Sequence, residues 1–240
     1  MYHKYIFSEV IKKIIHDIKF FSKIRLSKLI KSIRLIKKSK AQLRQDLFVL
    51  THLDFKTQGF FVEFGATDGI HLSNSYLLER EFDWSGILAE PAKSFEVALR
   101  YNRPNAKIET LCIYKDSDLI LNFRETSDSN LSTLDYFANK DFHKSGREKY
   151  ISYQVKTISL NDLLEKYNAP TQIDYLSIDT EGSELEILTS FDFKKYNVKI
   201  ITVEHNYSPQ LHDLSVLLVS EGYEQKFANL SKFDSWWIKI

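Results

Sequence analysis

The stretch Phe60-Phe61-Val62-Glu63-Phe64-Gly65-Ala66-Thr67-Asp68-Gly69 constrains the fold more than any other. A short apolar run rich in Phe and Val reads as a buried strand. Gly65 and Gly69 then allow a tight turn and let a ligand approach the backbone closely. A helix is expected next, through residues 74–81. Strand, glycine turn and helix in this order form a nucleotide-binding edge in α/β folds. Glu63 is out of place for packing alone, since a carboxylate inside a buried strand is costly without a partner. It suits a ligand that carries a cationic amine.

The pattern after residue 53 alternates between strand and helix. Strands are expected near 60–64, 86–90, 107–113, 118–124, 151–157, 173–179, 198–204, 223–228 and 235–240. Helices are expected near 73–82, 92–102, 159–167, 183–190 and 209–221, with Ser159 and Ser208-Pro209 as starts. Such alternation predicts a mainly parallel sheet with helices on both faces. The last two strands are separated only by Asn229-Leu230-Ser231-Lys232, too short for a crossover, so they form an antiparallel hairpin. Segment 125–150 is polar and weakly periodic, and reads as a long loop over the site.

Charge divides the chain in two. Residues 1–44 hold 13 of the 33 Lys and Arg against only Glu9 and Asp17, so this piece carries +11 and the remainder −10. Phe7, Val10, Ile11, Ile14, Ile15, Ile18 and Phe21 recur at helical spacing, and the stripe continues through Leu26, Leu29, Ile30, Ile33 and Ile36. We expect basic amphipathic helices over residues 1–50, ahead of a domain over 51–240. The stripe either lies on an anionic membrane surface or packs in the chain's own domain or a homo-oligomer. Nucleic acid is not expected as a partner, because the bases lack interleaved aromatic platforms. No run approaches 18 apolar residues, so no transmembrane helix is expected, and the N-terminus does not read as a secretory signal. Cys112 is the single cysteine, which suits a reducing, cytoplasmic compartment, with peripheral contact at the inner membrane face as an alternative.

Ligands in such sheets bind outside the carboxyl ends of the strands. Those ends supply Glu63 with the Gly65–Gly69 turn, Glu90-Pro91, Cys112-Ile113, Asp179-Thr180-Glu181-Gly182-Ser183-Glu184 and Glu204-His205-Asn206. Glu90 can accept two ribose hydroxyls, or simply stand at a helix N-terminus. Backbone groups at Cys112 and Ile113 could edge an adenine. Three acids within residues 179–184 repel one another unless a cation is near, although Glu184 is well placed to cap the next helix. Asp179, Glu204 and His205 are the candidate general bases, and equally the candidate ligands of Mg²⁺ or a similar divalent ion.

Val62-Glu63-Phe64-Gly65-Ala66-Thr67-Asp68-Gly69, Leu72-Ser73-Asn74-Ser75-Tyr76-Leu77-Leu78-Glu79, Gly86-Ile87-Leu88-Ala89-Glu90-Pro91 and Ile173-Asp174-Tyr175-Leu176-Ser177-Ile178-Asp179-Thr180-Glu181-Gly182 together resemble the FkbM-type methyltransferases. The resemblance runs from about residue 60 to the C-terminus. It implies a Rossmann-like class I methyltransferase fold with a seven-stranded sheet, S-adenosylmethionine as donor, and O-methylation of a sugar or polyketide hydroxyl. By resemblance, Glu63 holds the methionine amino end and Asn74 the carboxylate. The backbone of Gly65, Ala66, Thr67 and Gly69 approaches the cofactor, Glu90 grips the ribose, and Asp179 faces the methyl group. Thr67 stands where family members commonly carry Asn, and it can still hydrogen-bond. The acceptor would be a glycan or another small hydroxyl compound, lined by Leu131–Leu134, Tyr207 and Trp236-Trp237. Two competing readings are a nicotinamide-dependent oxidoreductase and a non-catalytic scaffold. The first is disfavoured because the turn is Gly-x-x-x-Gly rather than Gly-x-Gly-x-x-Gly.

Overall fold

A computed structural model describes residues 26–127, 129–140 and 144–240, with Lys19 and Ser22. The stripe over residues 7–21 lies outside the described residues. The chain enters through helices α1 (Leu26–Leu35) and α2 (Gln45–His52). Strands β1 (Phe60–Phe64) and β2 (Ser85–Ala89) are joined by α3 (Tyr76–Phe82), and α4 (Glu96–Asn102) leads to β3 (Lys107–Glu109). Then follow β4 (Cys112–Tyr114), β5 (Ile120–Thr126), β6 (Thr133–Leu134) and β7 (Tyr150–Ser159). The C-terminal half is α5 (Leu160–Lys166), β8 (Gln172–Ile178), α6 (Glu184–Thr189), β9 (Asn197–Glu204), α7 (Leu211–Ser220), β10 (Tyr223–Lys226) and β11 (Asp234–Lys239).

Seven strands form the main sheet, in the order β10-β11-β9-β8-β1-β2-β3. The five strands β9, β8, β1, β2 and β3 run parallel, and β11 enters antiparallel between β9 and β10 as the short final connection requires. Strand order reverses between β1 and β8, which opens a crevice at their carboxyl ends. Side-chain alternation builds one core on each face. Phe61, Leu88, Tyr175, Ile200 and Trp236 pack with α2, α3 and α4. Val62, Ile87, Leu176, Ile201 and Trp237 pack with α5, α6 and α7.

Several expectations change here. The strand expected over 107–113 is two strands. β3 ends at Glu109, whose Oε1 accepts the Thr110 and Leu111 amides and so turns the chain. β4 then joins a separate four-stranded sheet, β4-β7-β5-β6. Segment 125–150 is not a plain loop. It carries the end of β5, all of β6 and 3₁₀ turns at Ser129–Leu131 and Lys144–Arg147. The boundary at residue 50 also moves, because Leu43, Leu47, Phe48, Val49 and Leu50 are buried in the core. Trp236 and Trp237 are both fully buried on opposite faces, so neither lines a pocket. Ser159 caps α5 through the Asp162 amide as expected, whereas α7 starts after Gln210 with no side-chain cap from Ser208. No helix among the described residues is long and apolar enough to cross a membrane.

Candidate active site

A cleft enclosing about 800 Å³, part of it open to solvent, lies at the crevice, where ligands of such sheets bind. Glu63, Gly65, Thr67, Asn74, Glu90, Cys112, Ile113 and Asp179 all line it. Of the residues expected at the cofactor, two do not. Ala66 and Gly69 shape the turn from behind: Ala66 N donates to Ala89 O at 3.2 Å, and Gly69 N to Ala66 O at 2.8 Å. Gly65 has φ of 70°, and a Cβ there would stand 2.1 Å from the Asp179 carbonyl oxygen. Only glycine lets the ends of β1 and β8 approach this closely.

Glu63 explains why α3 starts three residues later than the periodicity predicts. Its carboxylate accepts hydrogen bonds from the hydroxyls of Ser73 and Ser75 and from the Asn74 amide. Residues 73–75 are thereby folded onto β1 instead of into the helix. A carboxylate offers about four lone-pair sites. Three are spent here, so one remains on Oε1. Glu90 is spent evenly: Oε2 accepts from Thr67 N at 2.9 Å and Oε1 from Ala92 N at 2.8 Å. One lone pair is left on each oxygen, which suits a vicinal diol. Burial, partly offset by these amides, pushes the Glu90 carboxyl up to about 7.

Asp179 and Glu204 meet at the ends of β8 and β9. Both are pushed upward, first by burial; Glu204 is raised further by the Asp179 charge. A second carboxylate this close makes ionisation of Glu204 harder still. Carboxylate oxygens of Asp179, Glu181 and Glu204 lie within 4.8 Å of one another. Arg147 donates to Glu181 at 2.6 Å, and Asn206 Nδ2 bridges Glu181 and Glu204 at 3.2 and 2.6 Å. Contrary to expectation, Glu184 does not cap the helix it opens; its Oε1 accepts from the Thr180 and Gly182 amides and so folds the preceding turn.

A profile of the methyltransferase FkbM domain matches residues 63–224. The chain belongs to the FkbM methyltransferase family. No curated protein matches it. An FkbM methyltransferase structure from Methylobacillus flagellatus KT is 13% identical with a TM-score of 0.50, covering 96% of this chain and 59% of its own. A precorrin-6y C5,15-methyltransferase from Geobacter metallireducens GS-15 is 12% identical with a TM-score of 0.41, covering 75% of this chain and 71% of its own. A human methyltransferase 10 domain containing protein is 11% identical with a TM-score of 0.45, covering 83% of this chain and 82% of its own. At 13% identity the likeness to the Methylobacillus flagellatus structure speaks for the fold alone.

Membership of the FkbM family implies S-adenosylmethionine as methyl donor. The residues fit it. Glu63 keeps one acceptor for an ammonium and Glu90 keeps two for ribose hydroxyls; Asn74 Oδ1, buried with no hydrogen-bond partner, is an acceptor too and so suits the ammonium, not the carboxylate expected of Asn74. Cys112 and Ile113 reach the cleft from β4 of the small sheet and not from the third strand of the main one. Burial raises the Cys112 thiol to about 12, so it packs and does not attack.

His205 is a correction. Its Nδ1 accepts from Tyr207 N at 3.1 Å, so Nε2 carries the proton and donates to Asp234 O at 3.1 Å. Burial pushes this imidazole down, which keeps it neutral. With both nitrogens spent on backbone it is neither base nor ligand. Tyr207 is 67% exposed and does not line the cleft. Of the expected loop, Asn130, Ser132 and Leu134 do line it.

Two buried arginines escaped the sequence reading. Arg103 pairs with Glu79 and donates to Gly69 O, Ser73 Oγ and Ser75 Oγ, so it braces the glycine turn and the hydroxyls that hold Glu63. Arg147 ties Leu131 O and Ala138 O to Glu181, fixing the 129–140 segment over the cleft. No local pattern marks either residue, since the partners lie up to 34 positions away. Glu181 was legible only as one of three clustered acids.

Proposed function

We propose that the protein O-methylates a hydroxyl of a sugar or glycan. The observation that carries this reading is the half-buried Asp179–Glu204 pair beside the donor cleft, its carboxylate oxygens within 4.8 Å of one another. A sugar hydroxyl is a poor nucleophile and needs a base near its own proton. A carboxylate whose proton affinity is raised by burial suits that task better than one in water. When bound, S-adenosylmethionine supplies an electrophilic methyl group on a sulfonium. Glu63 holds its amino end, Glu90 its ribose, and the β4 backbone borders its adenine. The ionised member of the Asp179–Glu204 pair takes the acceptor's proton, and the rest of the site contributes mainly by positioning. A cationic sulfonium also offsets the repulsion among the acids.

The closeness of Asp179, Glu181 and Glu204 favours a second reading, in which these carboxylates hold a divalent ion that lowers the hydroxyl's proton affinity. Chelation separates the two. Turnover abolished by EDTA and restored by Mg²⁺ supports the ion; turnover indifferent to EDTA supports the carboxylate pair. The reading as a whole is tested by methyl transfer to a glycan panel, followed by mass. Transfer to hydroxyls, lost in Asp179→Asn, is expected. Transfer only to amines or carboxylates would overturn it.

The N-terminal segment supports a lipid-linked or surface glycan as the larger acceptor. In α1, Ser32 is fully buried, while Ile30 and Ile33 are 57% and 52% exposed beside Lys31, Arg34 and Lys37. The helix thus packs one face on its own domain and turns an apolar, basic face outward, as a peripheral membrane helix does.

A further inference from the structure

A second, much smaller recess, open to solvent, adjoins the donor cleft, and Leu72, Asn74 and Asp179 line both. Glu204 lines the small chamber and not the cleft. Ser177 and Ile178 of β8 also line the small chamber, and its outer walls come from the two ends of the chain. Gln42 and Gln45 stand on one side, Phe233 and Asp234 on the other. Gln45 is buried and donates to Asp234 Oδ2 at 2.8 Å, which clamps the N-terminal segment to the start of β11. Gln42 is exposed at the mouth. An Ala41–Leu72 bridge fastens the same segment to the turn after β1. All four outer-wall residues lie outside the family match at 63–224, whereas Asn74, Asp179 and Glu204 lie inside it.

We propose that this chamber is the acceptor subsite, that the N-terminal segment forms its outer wall, and that it admits a neutral hydroxyl-bearing sugar carbon. This rests on the sugar O-methylation reading above. Three observations support it. Asp179 stands in the wall between the chambers, so a hydroxyl in the small one faces the donor cleft across the candidate base. The lining is rich in acceptors: Asp179, Glu204 and Asp234 carboxylates, with the buried, unpartnered Asn74 Oδ1 on the shared wall. Gln45 Nε2, the donor on the floor, gives one of its two N–H groups to Asp234. Such a lining accepts hydroxyl protons and repels carboxylates and phosphates. The division of labour follows: matched residues hold the donor and the base, and unmatched ends select the acceptor.

The test uses the full-length protein loaded with S-adenosylhomocysteine and saturation-transfer difference NMR. The probes are neutral methyl hexosides, methyl hexuronosides and hexose 6-phosphates. The variant is Gln42→Trp, which fills the mouth from an exposed position, with calorimetric binding of S-adenosylhomocysteine as the control. We expect neutral hexosides to give signal at least fivefold above the acidic sugars. We expect Gln42→Trp to cut that signal at least fivefold while S-adenosylhomocysteine affinity stays within twofold. Hexoside signal unchanged in the variant, acidic sugars bound as well as neutral ones, or no hexoside bound by loaded wild type would each overturn the proposal. Failure of S-adenosylhomocysteine to bind wild type would instead sink the methyltransferase reading beneath it.

Discussion

Each buried acid in this site is defined by how many of its lone pairs the protein has already used. Glu90 spends one per oxygen and keeps one per oxygen. Replacing Glu90 by Ala removes two acceptors for ribose hydroxyls. Hydrogen bonds to charged groups are worth about 1.5–3 kcal/mol each, so donor affinity should fall at least tenfold, read by calorimetry. Arg103 is fully buried and pairs with Glu79, so Arg103→Ala leaves a buried carboxylate without its partner. Removing one member of such a pair costs about 3–5 kcal/mol, and thermal unfolding should show it. A loss under about 1 kcal/mol would contradict the bracing role given to Arg103. Glu63 and Glu90 were legible from position alone, because strand-end acids are costly unless a ligand or a turn needs them. Arg103 was not, since its four partners converge only in three dimensions.

At the scale of elements, the strands of the main sheet were the legible part. Sheets buried on both faces favour apolar strands, and β1, β8 and β9 are largely apolar and buried, broken only by residues such as Glu63, Asp174 and Lys199. Helix starts were less legible, because side chains compete for the first amides. Glu63 takes residues 73–75, while Glu90 and Glu125 take the amides of Ala92, Lys93 and Ser94, so α4 also starts late. The split after Glu109 was hidden for the same reason. Helix α1 carries a prediction at this scale. The full chain should cosediment with anionic vesicles and much less with zwitterionic ones. Ile30→Asp with Ile33→Asp should weaken that binding without lowering S-adenosylhomocysteine affinity. Equal binding to both lipids, or no effect of the substitutions, would contradict a membrane role for this helix.

Across the whole molecule, several carboxyls are buried with raised proton affinity. Glu90 and Asp234 are pushed to about 7 and Asp46 to about 6, each mainly by burial. In the unfolded chain they titrate near 4. Between those values the folded state holds more protons, so stability falls as pH rises from about 4 to about 7 and then levels off. Asp174 and Glu125, held low by their hydrogen bonds against the cost of burial, withdraw stability only as pH falls below about 4. Donor-free protein should therefore melt several degrees higher at pH 5.5 than at pH 8, since 1 kcal/mol moves Tm by about 2–4 °C at this size. A higher Tm at pH 8 would contradict this. A cationic donor favours the ionised acids, so its affinity should rise with pH over the same window. The central claim is that the crevice between β1 and β8 is a donor site, and calorimetric titration of S-adenosylhomocysteine into wild type and Glu90→Ala tests it most directly. The account predicts micromolar-class binding to wild type and at least tenfold weaker binding to the variant; no binding by the folded wild type, or equal binding by both, would contradict it.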